Sequence, residues 1–119
     1  MEPQPISNFP ATRLRRLRQS PWIRNLIRET FVQPSDLVLP LFVVDGEKQR
    51  ISIPSLPSVE RLSIDLVVET AARAAEVGIP AVALFPAVDP ALKSEGGEEA
   101  YNPESLVCRT VRALKQSVP

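Results

Sequence analysis

The chain has 119 residues, with 14 Lys and Arg against 14 Asp and Glu, 44% apolar side chains, 13 prolines, one cysteine and no histidine. That length holds at most one ordinary domain, and balanced charge excludes both a uniformly basic nucleic-acid binder and an acidic disordered tail. The lone Cys108 excludes a disulfide framework within the chain, a zinc site built from its own Cys and His, and a Ser-His-Asp or Cys-His nucleophile. No apolar run approaches the ~20 residues that cross a bilayer, so no membrane partner is expected. Residues 1–10 lack an apolar signal core. One cysteine and no signal make the reducing cytoplasm the expected compartment.

Charge is uneven along the chain. Residues 1–34 carry Arg13, Arg15, Arg16, Arg18, Arg24 and Arg28 against Glu2 and Glu29, whereas the rest carries 8 basic and 12 acidic side chains. Pro3, Pro5, Pro10, Pro21 and Pro34 forbid one long helix there. The segment 1–34 therefore reads as an extended basic arm with short helical stretches at 12–19 and 22–30. The body, 35–119, opens with a near-continuous apolar run at 36–44, the pattern of a strand buried on both faces in a parallel sheet. Pro40 withdraws a ladder donor from its middle. Asp45-Gly46 is a turn signal, residues 50–53 suit a short hairpin return, and residues 54–57 are stiffened by two prolines. The whole of 45–60 reads as a hairpin-like insertion.

Ser63 is a good helix N-cap and Asp65 places negative charge at the positive end of the helix. Leu66, Val67, Ala71, Ala74, Ala75 and Val77 follow as an apolar stripe, and Gly78 is the expected residue just past the end. Residues 79–85 are a second buried-strand run closed by Pro86. A polar stretch at 89–100 with Gly96-Gly97 reads as a flexible loop. Asn102-Pro103-Glu104 predicts a helix start, with Leu106, Val107, Val111 and Leu114 as its buried face. Arg109, Arg112 and Lys115 fall late in that helix, where cations are favoured.

Strand, helix, strand, helix is the order of an α/β parallel fold. A parallel pair with two helices cannot close a core, and its outer edges stay open. The alternation matches the opening of a TIM (βα)8 barrel, which takes ~250 residues. The rival, a doubly wound sheet, lacks its Gly-rich phosphate turn, because the stretch Val43-Val44-Asp45-Gly46 has one glycine.

Several blocks resemble one family in order and spacing: Arg13-Leu14-Arg15-Arg16-Leu17-Arg18, Ile27-Arg28-Glu29-Thr30, the run from Asp36 through Val43, the stretch from Ile53 through Asp65, the run from Gly78 through Pro86, and Glu99-Ala100-Tyr101-Asn102-Pro103. Together they are similar to the start of the porphobilinogen synthase (delta-aminolevulinic acid dehydratase) family. The resemblance implies an N-terminal arm followed by the first two βα units of a TIM barrel. It implies a lyase that condenses two molecules of 5-aminolevulinate into porphobilinogen in tetrapyrrole and haem synthesis. Two active-site lysines and a Zn2+ or Mg2+ ion belong to the family's chemistry, and all of them fall beyond Pro119. No catalytic residue, metal ligand or cofactor is thus expected in this chain, which reads as a truncated, inactive piece. Isolated, such a piece is expected to fold poorly or associate through its open edges.

Individual residues fit that reading. A Schiff-base lysine needs burial or a cationic neighbour, whereas Lys48, Lys93 and Lys115 sit in solvated contexts. Cys108 is a small core or boundary residue, Phe42 is core, and the adjacent Glu98-Glu99 carry no role. Phe85 ends the second strand, on the side where barrel enzymes hold their sites. It is either barrel core or a wall of the substrate pocket, and the resemblance favours the wall. The arginine run could be a nucleic-acid or membrane patch, a transit peptide, or an arm lying on a neighbouring acidic subunit. Charge favours the last. The resemblance implies a homo-octamer, with Arg13, Arg15, Arg16, Arg18 and Trp22 at the interface and no nucleic acid bound. The alternative is a non-catalytic assembly module that docks on a homologous barrel.

Overall fold

The computed structural model describes Pro10, Thr12, Arg13 and residues 15–118. They divide into two compact units between Val32 and Gln33. In the leading unit a 3-10 turn spans Arg16–Arg18 and helix α1 spans Pro21–Leu26. Both are shorter than the helical stretches expected at 12–19 and 22–30, and Leu14 of the first stretch lies outside the described residues. The reason is physical: neither element buries any residue, and helices this short are marginal without a buried face. Pro21 occupies the first helical position, where its missing N–H costs nothing. Arg24 Nη1 donates to the Arg18 carbonyl at 3.0 Å, and the Arg28 guanidinium lies 4.2 Å from the Phe31 ring centroid.

The second unit holds a four-stranded mixed sheet. Its strands are β1 (Val38–Val43), β2 (Arg50–Ser52), β3 (Glu60–Leu62) and β4 (Ala81–Pro86), in the spatial order β2-β3-β1-β4. β1 pairs in parallel with β4 along its whole length, from Val38↔Ala81 to Val43↔Pro86. A hairpin does form in the insertion, but β2 returns on β3 rather than on β1. It is β3, unmarked in the sequence pattern, that lies beside β1, in parallel and only at Phe42↔Arg61 and Val43↔Leu62.

This short pairing explains Pro40. The Val44 N–H donates to Leu62 of β3 at 2.9 Å, and the Val43 carbonyl accepts from Ala87, just past β4, at 2.7 Å. Backbone groups alternate sides along a strand, so residues 40, 42 and 44 face the β3 side. β3 stops short of Pro40, and the proline therefore interrupts no ladder bond.

Helix α2 spans Ile64–Glu76 and α3 spans Leu106–Ser117. Together they cover one face of the sheet. The core there comprises Leu41, Val43, Leu62, Val67, Ala71, Leu106 and Leu114, with Leu39, Val82 and Leu84 packed against it. Each fully buried Leu or Val contributes roughly 1.5–3 kcal/mol. The expectation of strands buried on both faces is corrected here: Val38 is 59% and Phe85 50% exposed, because α2 and α3 both pack on the opposite side of β1 and β4.

Local signals hold well around α2. Ser63 is the N-cap, although its hydroxyl accepts from the Gln49 N–H at 2.9 Å instead of from the helix. Gly78, at φ +87, closes a Schellman motif in which its own N–H reaches Ala75 at 2.9 Å and the Ile79 N–H reaches Ala74 at 3.0 Å. Ala75 and Val77 are exposed, contrary to the expected stripe. The α3 start is also corrected. Asn102 forms a turn, its Oδ1 accepting from the Glu104 N–H at 2.9 Å, and Ser105 caps the helix by accepting from the Cys108 N–H. Its buried face is Leu106, Thr110 and Leu114, while Val111 is exposed. Thr110 tolerates full burial because its hydroxyl donates to the Leu106 carbonyl at 2.7 Å.

Gly78→Ala places a Cβ in the left-handed region at a cost of roughly 1–2 kcal/mol. The expected outcome is faster hydrogen exchange at the Ile79 amide, with protection in β1 unchanged; equal Ile79 protection in both proteins would contradict it.

Candidate functional site

Parallel pairing brings the C-terminal ends of β1 and β4 to the same edge of the sheet. Side chains alternate along each strand, so Val38, Pro40 and Phe42 share a face with their register partners Ala81, Ala83 and Phe85. That face lies opposite α2 and α3; on β1 and β4 it is apolar, and Arg61 of β3, the other register partner of Phe42, brings a charge beside it. Small side chains lie along both strands, and on this face each strand ends on a phenylalanine. There Phe42 and Phe85 stack, with ring centroids 5.4 Å apart and planes inclined by 28°. Phe42, read as core, is half-buried in this stack, and Phe85 lies on the open face beyond it.

Polar groups gather where β1 leaves the sheet. Asp45 Oδ1 accepts from the Gly46 N–H at 3.0 Å and Oδ2 accepts from Arg109 Nη2 at 3.1 Å. The Arg109 hydrogen bond, followed by that of Gly46, holds the Asp45 carboxyl below its ordinary value of 3.8. A second clamp lies three residues on. Lys48 adopts φ +51, and its N–H donates to both Asp65 oxygens, at 3.1 and 3.3 Å. A hydrogen bond from the Ser63 hydroxyl, ahead of that from Lys48, lowers the Asp65 pKa. These two carboxylates pin the turn between β1 and β2 to the first turns of α3 and α2.

The segment after β4 is not the flexible loop expected. It contains 3-10 turns at Pro90–Leu92 and Glu98–Tyr101, the first capped by Asp89 and the second entered through Gly97 at φ +66. Ser94 donates to Glu98, and Asn102 Nδ2 donates to Glu99 at 3.0 Å. The segment arches over a cavity of about 290 Å³ lined chiefly by Pro86, Val88, Leu92, Ala100, Leu106 and Val107.

Lys48, Lys93 and Lys115 are all exposed, and Cys108 is half-buried and free. Arg13, Arg15, Arg16 and Arg18 are exposed, and Trp22 is 66% exposed. Arg109 does not sit late in its helix but in the first turn, because α3 begins at Leu106. The Asp45–Arg109 pair was not legible in the sequence: its members are 64 residues apart, and each has a sufficient local reading as a turn residue and a helix cation. Arg112 likewise serves the helix start, with donors 2.9 Å from the Pro103 carbonyl and 2.9 Å from Glu104. Among the described residues no helix is long and apolar enough to cross a membrane.

Comparison with known proteins adds the following. A family model described as "Delta-aminolevulinic acid dehydratase" matches residues 11–119. The delta-aminolevulinic acid dehydratase of Bradyrhizobium diazoefficiens is 49% identical over 109 residues, which is 92% of this chain and 31% of that protein. The chloroplastic relative from Physcomitrium patens is 44% identical and matches 90% of this chain and 25% of its own length. Delta-aminolevulinic acid dehydratase (porphobilinogen synthase) from Toxoplasma gondii ME49, solved in complex with the reaction product porphobilinogen, superposes with a TM-score of 0.78 at 44% identity. The match covers 91% of this chain and 30% of that one. The chain thus spans a quarter to a third of the length of these relatives.

Asp45 is 71% exposed, so its ion pair contributes less than about 1 kcal/mol. A lowered carboxyl pKa makes that contribution present above 3.8 and lost as pH falls through the lowered value. A carbon-detected titration of Asp45 should give a midpoint below 3.8 that rises in Arg109→Gln; an unmoved midpoint would refute the pairing.

Proposed function

The chain belongs to the delta-aminolevulinic acid dehydratase family, and from that premise we propose that it forms the N-terminal arm and first two βα units of a (βα)8-barrel porphobilinogen synthase. The reaction is the lyase condensation of two 5-aminolevulinate molecules into porphobilinogen. The observation that carries this reading is the family match over residues 11–119. The open sheet face agrees with it. A strand pair covered by helices on one side and bare and apolar on the other is what the first staves of a barrel present before the rest closes over them. The aromatic pair then stands at the C-terminal end of the strands, where barrel enzymes hold their substrates.

On this reading Phe85 is a wall of the substrate pocket. It packs against the methylenes of a small keto-amino acid and excludes water. Lys48, Lys93 and Lys115 are exposed, whereas an amine that forms a Schiff base needs a site that depresses its pKa. The Zn2+ or Mg2+ implied by the family does not fit the donors present. Among the described residues no three Cys, His, Asp or Glu side chains converge, and Asp45 and Asp65 are committed to Arg109, Ser63 and backbone N–H groups. We place the reacting amines and the metal ligands outside these 119 residues, as the family resemblance implies.

The leading unit acts as an oligomerisation arm of a homo-octamer, with Arg13, Arg15, Arg16, Arg18 and Trp22 toward a neighbouring subunit. Supporting this are the exposure of all five side chains and of Leu17, Leu26 and Phe31 nearby. The cytoplasm is the proposed compartment, consistent with a single free cysteine.

Purified alone, the 119-residue chain should yield no porphobilinogen from 5-aminolevulinate, while the complete reading frame that encodes it should yield the pyrrole. Colorimetric assay of both checks this; turnover by the isolated chain, or none by the complete frame, would contradict the proposal.

A further inference from the structure

Phe42 and Phe85 are register partners on the open sheet face, and their rings stack at 5.4 Å. Phe85 is half exposed, so packing alone leaves its ring free on the outer side. The layer below cannot fix it either, since Pro40 and Ala83 are small and Val38 and Ala81 lie further down the strands. Phe42 is the register partner of Phe85 and stacks on its ring, while Arg61 of β3 is paired with Phe42 on the other side. Phe42 is also the less exposed of the two phenylalanines, anchored in the central strand of the sheet. A phenylalanine has two side-chain torsions, and a stacked neighbour at this distance favours those that keep the two rings in contact.

We infer that Phe42 is a positioning residue for 5-aminolevulinate binding, acting through Phe85 by holding its ring at the angle that presents a flat apolar wall to the substrate. The inference rests on the functional reading above and deepens it at one residue. Phe42 need not touch substrate. Its contribution falls on substrate capture, because it acts by fixing the apolar wall that Phe85 presents.

The test uses the complete reading frame. Phe42→Leu keeps apolar bulk but loses the flat face; Phe42→Tyr keeps the ring. Phe42→Leu should raise KM for 5-aminolevulinate about three- to tenfold, the range an aromatic pair supports, with kcat changed less than about twofold. Phe42→Tyr should restore the wild-type KM. In the double variant with Phe85→Leu, the loss should equal that of Phe85→Leu alone, since Phe42 acts only through that ring. An unchanged KM in Phe42→Leu, additive losses in the double variant, or a fall in kcat and thermal midpoint without a KM change would each overturn the inference. Failure of the wild-type frame to make porphobilinogen would instead overturn the functional reading, and this inference with it.

Discussion

Leu41, Val43, Leu84 and Val82 are withdrawn from water because α2 and α3 pack on the same side of β1 and β4. That one-sided cover governs the rest of the second unit. It selects which residues of two almost wholly apolar strands become core, and it leaves the partners of those residues bare on the other face. The alternation within a strand is strict, so burying Leu41 and Val43 obliges Phe42 to face the opposite way. Register then sets Phe42 against Phe85, and the aromatic stack at the strand ends follows from nothing else.

The hairpin of β2 and β3 is a second consequence. Its strand β3 reaches only Phe42 and Val43, which leaves the lower edge of β1 unpaired and lets Pro40 sit in a central strand at no cost in ladder bonds. The clamps at Asp45 and Asp65 hold this insertion against the helices. Each is a modest surface interaction. Their effect is geometric, since they fix how the chain leaves β1 and how it enters α2.

Much of this was legible residue by residue. Ser63 and Gly78 bracket α2 because a cap and a left-handed exit are local requirements that a sequence states directly. The two strand runs were also plain, and so was the position of Phe85 at the end of one. What escaped the sequence depended on distant partners. A continuous apolar run does not reveal whether one face or two will be covered, so the run holding Val38 reads as buried on both faces, while Phe85 reads as barrel core or pocket wall. Thr110 reads as polar, yet its bond to Leu106 lets it take the buried position that the apolar pattern assigns to Val111. Asn102-Pro103 reads as a helix start, and Ser105 competed successfully for that role. The pairing of Phe42 with Phe85 needs the register, which no local pattern encodes.

The proposed reading has the bare face of β1 and β4 covered by further protein in the assembled barrel. Sedimentation velocity of the isolated chain measures this most directly, with Phe85→Lys as the comparison. The account predicts a mass above 13.1 kDa that grows with concentration and falls back toward the monomer when the lysine is introduced. A stable monomer at all concentrations, unfolding in a single sharp transition, would contradict it.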